Sequence, residues 1–476
     1  MSKLNCANLV IETVSPLAIT SGAREVAFDS ALIRDVNGLP MIPATAIAGV
    51  WSQLVEAHLG DDLRRYWFGK AVDKDTKEEQ CRSRFSISNG VMNDQYGQPV
   101  RGFLPREEIE QDPVLKICIQ ERPYHRERVA INDRGVAKPH AKFDQIVLPK
   151  GLRFSIQIRW QDDGAEPLLA LWNLRQMAFG SSTRNGLGQI KLVHSELNSV
   201  DLSFGERAAA QIRQLLKPDI NPTTNCLAQT LGNSEFLLAQ LPLQALDNWR
   251  YGSGTSLLGD YSDLEQQVAL ISYSEPYWQW IDGRAVWQAA RPVLCGSAVK
   301  GILAHRIAYH YRKHKQLWAE EMELADHQQW QSRPEGLNSL FGFADENDHQ
   351  ASLAGVLIVD DCDIDYEKTS IRYHNAMDRF TGGVRSGALY SEELLFQPKF
   401  TLKIWLASPV GSATRLREFD PALKLAFENT IEDLQSGLLP FGASSGRGIS
   451  LVEQGDHAEW IVNSDLLAST EKDKQQ

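Results

Sequence analysis

Residues Ser15–Trp51 read SPLAITSGAREVAFDSALIRDVNGLPMIPATAIAGVW. The stretch parses as the end of a strand, a turn at Ser21-Gly22, a polar loop, a short strand, an Ile-Pro turn and a helix. The polar loop, Ala23 to Ser30, carries Arg24, Glu25 and Asp29. Ala31 to Arg34 fits a short strand, and Asp35-Val-Asn-Gly38 is a hairpin-type turn. From Ala44 the apolar residues Ile47, Val50, Trp51, Leu54 and Val55 recur at helical spacing, and Gly60 ends the run.

A comparable order returns from Leu246: LDNWRYGSGTSLLGDYSDLEQQVAL, then, from Ala290, ARPVLCGSAVKGILA. Here the glycine turn is Gly252-Ser-Gly254, and the acidic loop holds Asp260, Asp263 and Glu265. Further pairs follow in the same order. Trp67-Phe-Gly69 matches Leu340-Phe-Gly342, and the Arg84–Val91 strand matches Ser352–Asp360. The helix predicted over Glu166–Met177 matches Pro421–Leu434. FGSSTRNGLG (Phe179–Gly188) matches FGASSGRG (Phe441–Gly448). A period of roughly 260 to 270 residues is a domain duplication, not a solenoid. Each copy orders as strand–helix–strand–strand–helix–strand, which predicts an α+β fold of two tandem ferredoxin-like (RRM-like) domains with inserted loops. The expected boundaries are 1–198, a turn-rich linker 199–234, 235–468, and a disordered polar tail 469–476. The Trp-rich insertion Tyr277–Trp287 fits a core or subunit contact.

The chain has 476 residues and a formal net charge of -12, which by itself argues against a free-standing nucleic-acid binder. A local basic groove on an acidic body remains compatible with that charge. Glu121–Arg159 is such a region, with nine Lys/Arg against four Asp/Glu. Arg126, Arg128, Arg134, Lys138 and Lys142 could neutralise phosphates, and Tyr124, His125 and Phe143 could stack on bases. In the second copy Lys300, Arg372, Arg379 and Arg385 are comparable, with Tyr373, His374 and Phe380 nearby.

The glycine loops admit two readings, a phosphate cradle or a tight helix-to-strand turn needing positive φ. Neither fits a Walker A pattern. As a cradle, the first loop would offer Gly180, Ser181 and Arg184, and the second Ser444, Ser445 and Arg447. Asp29 and Asp260 each follow a glycine turn, where a carboxylate could bind a divalent cation or help activate a ribose 2′-hydroxyl. Asp263 competes with Asp260, and Asp247 is a weaker candidate. A solvated loop aspartate is the plainer reading of any one of them.

The six cysteines form no C-x-x-C, and no Cys/His group has zinc spacing. They fit the reduced thiols of a cytoplasmic protein, and the N-terminus lacks a signal-peptide core. No apolar run has bilayer-spanning length, so no membrane is expected among the partners. His310 and His314 lie at i, i+4 without H-E-x-x-H, and no serine-hydrolase elbow is present.

PLAITSG, Asp29, IPATAIAG, GSGTSLLGD, VLCGSAVKG, LFG, MDRFTGGVRSGALY and FGASSGRG together resemble the RAMP superfamily of CRISPR-associated proteins. The chain is most similar to the backbone subunits of type III effector complexes, as two fused copies. The resemblance implies a cytoplasmic ribonucleoprotein of antiviral defence, with guide RNA (crRNA), complementary target RNA and other CRISPR effector subunits as partners. It implies endoribonuclease activity, in which Asp29 and Asp260, with Mg2+ or Mn2+, support cleavage of target RNA to a cyclic phosphate. The glycine loops, Lys300 and the hairpin cations would hold RNA. IPATAIAG departs from the family's Ser-Ser-Leu-Lys-Gly-like run and lacks a counterpart of Lys300. A purely structural guide-binding subunit is the alternative, and a guide-processing ribonuclease using His125 or His374 is a third reading.

Overall fold

The computed structural model describes residues 3–20, 31–69, 81–132, 136–202, 209–213, 227, 236–261, 268–322, 332–343, 352–407, 419–455 and 459–467; the side chains of 138–140 are not described. Two units emerge. The first comprises Met1–Glu235, Tyr277–Gln288 and Ala407–Ala413, and the second Phe236–Pro276, Ala289–Leu406 and Thr414–Gln476.

The first unit is built on β1 (Lys3–Thr13). Its alternate residues Ala7, Leu9 and Ile11 enter the main hydrophobic core. On the other face Asn8 accepts from Gln157, and Glu12 pairs with Arg153 at 2.9 Å and Lys191 at 2.7 Å. Helix α1 (Ala44–Leu59) starts straight after Pro43, where its first N–H is taken by Asn89 Oδ1 at 2.9 Å. It stops at Gly60, whose φ of +94° favours glycine. Ile47, Trp51, Leu54 and Val55 are the buried face, as the helical spacing predicts. Trp51 donates its indole N–H to Leu168 O at 2.8 Å. A second helix, α2 (Asp61–Phe68), follows at once and ends at Gly69, where a Cβ would lie 2.3 Å from Cys81 O.

The expected strand over Arg84–Val91 is broken into β2 (Ser86–Ile87) and β3 (Val91–Met92). Between them Gly90 exchanges backbone hydrogen bonds with Ile42. The Ala31–Arg34 segment likewise makes only isolated bridges, Thr20 with Leu32 and Arg34 with Pro40. After the short helices α3 (Arg106–Gln111) and α4 (Pro113–Cys118) comes a hairpin of β4 (Tyr124–Ile131) and β5 (Ala137–Val147). Then come β6 (Arg153–Trp160), helix α5 (Glu166–Ala170) and β7 (Ile190–Asp201). The sheet runs β2/β3–β6–β1–β7 with every pair antiparallel. That is the second, third, first and fourth strand of a βαββαβ unit, the ferredoxin-like order.

Helix α5 is shorter than the sequence suggests. Leu168, Leu169, Leu171, Trp172, Leu174 and Met177 are all buried. One helical stripe cannot bury so many. The chain tightens into a 3-10 turn at Leu171–Asn173 and goes extended at Leu174. Within this same unit, Trp278 is buried and Trp280 donates to Gly151 O at 2.8 Å. Trp278 and Ala285 of the Trp-rich insertion are therefore core residues, with Trp280 packed against that core, while Trp287 is exposed.

In the second unit β8 (Leu237–Ala245) takes the place of β1, followed by β9 (Asn248–Trp249). A hairpin of β10 (Ser274–Ile281) and β11 (Arg284–Leu294), whose Tyr277–Gln288 part counts with the first unit, precedes helix α6 (Gly296–His314). Helix α7 (Asn338–Phe341) ends at Gly342 with φ +79°, as α2 ends at Gly69 with φ +80°. β12 (Leu357–Val359), the hairpin of β13 (Lys368–His374) and β14 (Tyr390–Phe396), β15 (Lys399–Leu406), α8 (Pro421–Gln435) and β16 (Val452–Gln454) complete it. The sheet order is β12–β15–β8–β16, again antiparallel and again second, third, first, fourth. Helices α6 and α8 supply Leu303, Ile307, Phe427 and Ile431 to a separate core. The α+β duplication read from the sequence is present in both units.

Candidate nucleic-acid interface

The two glycine loops superimpose in hydrogen-bond register. Phe179 N–H donates to Gly188 O at 3.0 Å, and Phe441 N–H to Ser450 O at 2.7 Å. Ser181 N–H donates to Ala18 O at 2.8 Å, and Ala443 N–H to Arg250 O at 2.7 Å. Ser182 and Ser444 are both left-handed at φ +58°, and each opens a one-turn 3-10 helix. Asn185 N–H donates back to Ser182 O, and Arg447 N–H to Ser444 O. Asn185 therefore occupies the position of Arg447, and Arg184 that of Gly446; the two loop arginines differ by one residue. Gly180 and Gly442 have positive φ and no room for a Cβ, which would lie 2.3 Å from Ala18 O and 2.6 Å from Trp249 Nε1. Both loops make a tight helix-to-strand turn, and the turn is the same in both units.

Beside each loop stands the root of a hairpin. Leu17 bridges Leu148 in the first unit, and Trp249 pairs with Leu395 in the second. Counting from these contacts, the pair Arg128–Phe143 corresponds to His374–Tyr390, and Arg126–Gln145 to Arg372–Glu392. In the first unit Gln145 Nε2 donates to Ser181 Oγ at 2.6 Å, and Arg128 lies 3.4 Å from Ser182 Oγ. In the second, His374 Nε2 lies 2.5 Å from Glu392 Oε1, its ring stacks on Tyr390 at 4.8 Å, and Arg447 reaches the Tyr390 hydroxyl. Glu392 is wholly buried and also meets Arg250 at 3.3 Å. At the hairpin root, His374 and Glu392 of the second unit stand where the first unit has Arg128 and Gln145.

Candidate residues fall into groups. Ser181, Arg128, Gly180 and Arg184 gather at the first loop; Ser444, Ser445 and Arg447 gather at the second. Arg379 and Arg385 sit on the exposed part of the second hairpin, where Phe380 is fully exposed. Lys142 is exposed but paired with Glu127 at 2.8 Å across its hairpin. Lys300 Nζ donates to Leu357 O at 2.8 Å, so the lysine is tied to the second sheet. Arg126 corrects the expectation from sequence: it is 1% exposed, and a guanidinium inside the unit cannot meet a phosphate arriving from solvent. Asp29, Asp263, Arg134 and the side chain of Lys138 lie outside the described residues.

Asp260 is exposed. On either side of it the chain is held. Leu258 and Gly259 N–H both donate to Glu393 Oε1 at 2.9 Å, and Tyr261 OH donates to Thr369 Oγ1 at 2.6 Å. Sequence reasoning passed over Glu392 and Glu393. The signal was present: two adjacent glutamates inside a short strand, β14 (YSEELLF), that is buried on both faces. Among the described residues no group of three or more His, Cys, Asp or Glu is placed to hold a metal ion, and no helix is long and apolar enough to cross a membrane. The described cysteines Cys6, Cys81, Cys118, Cys295 and Cys362 are free thiols.

Residues 10–191 match the family model of the RAMP superfamily. No curated protein matches the chain. Among solved structures, a chain of the type III-B Cmr-beta complex bound to cognate target RNA matches at 14% identity and a TM-score of 0.28. That match covers 41% of this chain and 61% of the other. Residues 10–191, which carry the ferredoxin-like sheet of the first unit, are thus similar to the RAMP superfamily.

Proposed function

We propose that the chain is an RNA-binding backbone subunit of a type III CRISPR effector complex, in which each unit holds part of one guide RNA and presents one aspartate to the target strand. The observation that carries this reading is the repetition of one loop-and-hairpin-root geometry, down to the left-handed serine, in two units of one fold. A repeated site suits a repeated ligand, and the sugar-phosphate backbone of RNA is one. Serine hydroxyls, Arg184 and Arg447 at the loops would bind phosphates; Arg379 and Arg385 would add charge along the second hairpin. Exposed Phe143, Tyr373 and Phe380 would pack against bases or wedge between them.

Cleavage follows from the loop aspartates. A ribose 2′-oxygen attacks the adjacent phosphate, the bond to the 5′-oxygen breaks, and a 2′,3′-cyclic phosphate remains. A single exposed carboxylate such as Asp260 fits Mg2+ or Mn2+ shared with phosphate oxygens, because magnesium is commonly held by one or two carboxylates plus substrate phosphates. Such an ion supplies charge neutralisation at the reacting phosphate. The chain's own part is to fix the phosphates on either side and to hold the carboxylate still.

The test is Asp29→Ala and Asp260→Ala, each in the assembled ribonucleoprotein, on end-labelled target RNA. Each substitution is expected to remove a different product while guide binding persists. Unchanged products with intact assembly would leave the purely structural subunit as the correct reading.

A further inference from the structure

We propose that Glu393 is a positioning residue of the second unit, clasping the Leu258–Tyr261 turn onto the hairpin so that Asp260 stands at one fixed place. The inference rests on the reading of Asp260 given above and extends it to a residue far away in sequence.

Four observations carry it. Glu393 is 0% exposed, and one carboxylate oxygen accepts both the Leu258 and the Gly259 N–H at 2.9 Å. Its other oxygen, Oε2, is buried and has no hydrogen-bond partner among the described residues. A buried carboxylate oxygen left unsatisfied is costly, and sites that keep one call for an explanation beyond stability. Second, Tyr261 OH closes the turn from the far side onto Thr369 Oγ1, on the partner strand of the same hairpin. Third, the returning limb of the loop is bound to the same strand as Glu393: Ala269 and Leu270 N–H donate to Ser391 O at 3.1 Å, and Glu393 N–H donates to Leu270 O at 2.8 Å. Fourth, Gly259 fits the clasp with nothing to spare. A Cβ there would lie 2.3 Å from Thr369 Oγ1 and 2.5 Å from the Tyr261 ring.

Asp260 is therefore the exposed residue of a turn gripped on both sides by the hairpin that the second unit would insert along RNA. Burial, set against the two backbone hydrogen bonds, raises the Glu393 pKa, in keeping with a carboxyl kept for its acceptor geometry rather than for its charge. Glutamine offers the same acceptor oxygen. Leucine fills the volume and offers none.

The experiment compares Glu393→Gln, Glu393→Leu, Gly259→Ala and Asp260→Ala in the assembled complex, reading both target-RNA products and amide hydrogen exchange at Leu258 and Gly259. Glu393→Leu and Gly259→Ala are expected to slow formation of the Asp260-dependent product by about 100-fold, the scale of loss when a reacting group is misplaced by about 1 Å. The Asp29-dependent product stays at its wild-type rate, and Glu393→Gln restores the slow product. Gly259→Ala tests the same clasp from the exposed loop, should Glu393→Leu fail to assemble. A general structural role would depress both products together, which overturns the proposal. Loss of exchange protection with the Asp260-dependent product unchanged overturns the proposal and leaves the assignment of Asp260 standing. If Asp260→Ala itself leaves both products unchanged, the assignment fails and the positioning role fails with it.

Discussion

Substituting Gly180 by alanine probes the loop geometry on which the RNA-binding reading stands. The residue has φ +87°, and its missing Cβ would sit 2.3 Å from the Ala18 carbonyl oxygen and 2.8 Å from the carbonyl carbon. The left-handed region costs a non-glycine residue about 1–2 kcal/mol. The contact is with backbone, so no side chain can swing aside. Relief requires the loop to leave the segment that follows β1, breaking the Ser181 N–H to Ala18 O bond, a net loss of about 1 kcal/mol. The sum is about 2–3 kcal/mol, which for a unit of this size lowers Tm by roughly 4–12 °C. Gly442→Ala should behave alike, because its Cβ would meet Trp249 Nε1 at 2.6 Å and Arg250 O at 3.0 Å. Melting of the purified chain gives the first readout. Guide-RNA affinity below the transition gives the second and is expected to fall because Ser181 and Arg184 move with the loop. Wild-type melting and wild-type affinity for both variants would refute the claim that these turns are sterically locked and that their lock shapes the RNA contact.

Three further outcomes follow from the same structure. Trp51→Ala removes a buried indole that packs on Phe85 at 4.5 Å and hydrogen-bonds Leu168 O, so it should cost about 3–5 kcal/mol by chemical denaturation, with Trp51→Phe losing less. Asp112→Ala uncaps α4 at Val114 and Leu115 and orphans the Gln95 N–H, an expected loss of about 2–4 kcal/mol; Asp112→Asn keeps the cap oxygen but not the acceptor for Gln95, so it should recover only part of that loss. Glu393 has a folded-state pKa raised by burial above its ordinary value of 4.5, so its contribution is fully present below that value and is lost as pH rises through the raised one. The melting temperature of Glu393→Gln relative to wild type should therefore be higher at neutral pH than near pH 4.5, and a difference independent of pH would contradict the assignment.

Local rules made much of the fold legible. The buried face of α1 follows from the spacing of Ile47, Trp51, Leu54 and Val55, and Gly60 and Gly69 end helices where glycine is needed. The order of matched blocks was enough to give the βαββαβ topology twice. The internal breaks were hidden because tertiary demand overrode the local pattern: β2 and β3 part at Gly90 to pair with Ile42, and α5 stops so that Trp172, Leu174 and Met177 can all be buried. At the site, the glycine loops were visible as loops, but their one-residue offset of Arg184 and Arg447 depends on φ at Ser182 and Ser444. Charge patterning could not separate buried Arg126 from its partly exposed neighbour Arg128, because the two share one face of β4 and alternation does not say how far along the hairpin that face is covered. The hold of Glu393 on Leu258 and Gly259 spans more than a hundred residues and has no local signature.

The central claim is that two copies of one fold present equivalent loops to a single RNA strand. Ultraviolet cross-linking of the assembled complex, with the linked peptides and nucleotides mapped together, tests it most directly. The account predicts cross-links from both Gly180–Arg184 and Ser444–Arg447 to one guide RNA, at two positions separated by a fixed interval. Cross-links confined to one loop, or a variable interval between the two positions, would contradict it.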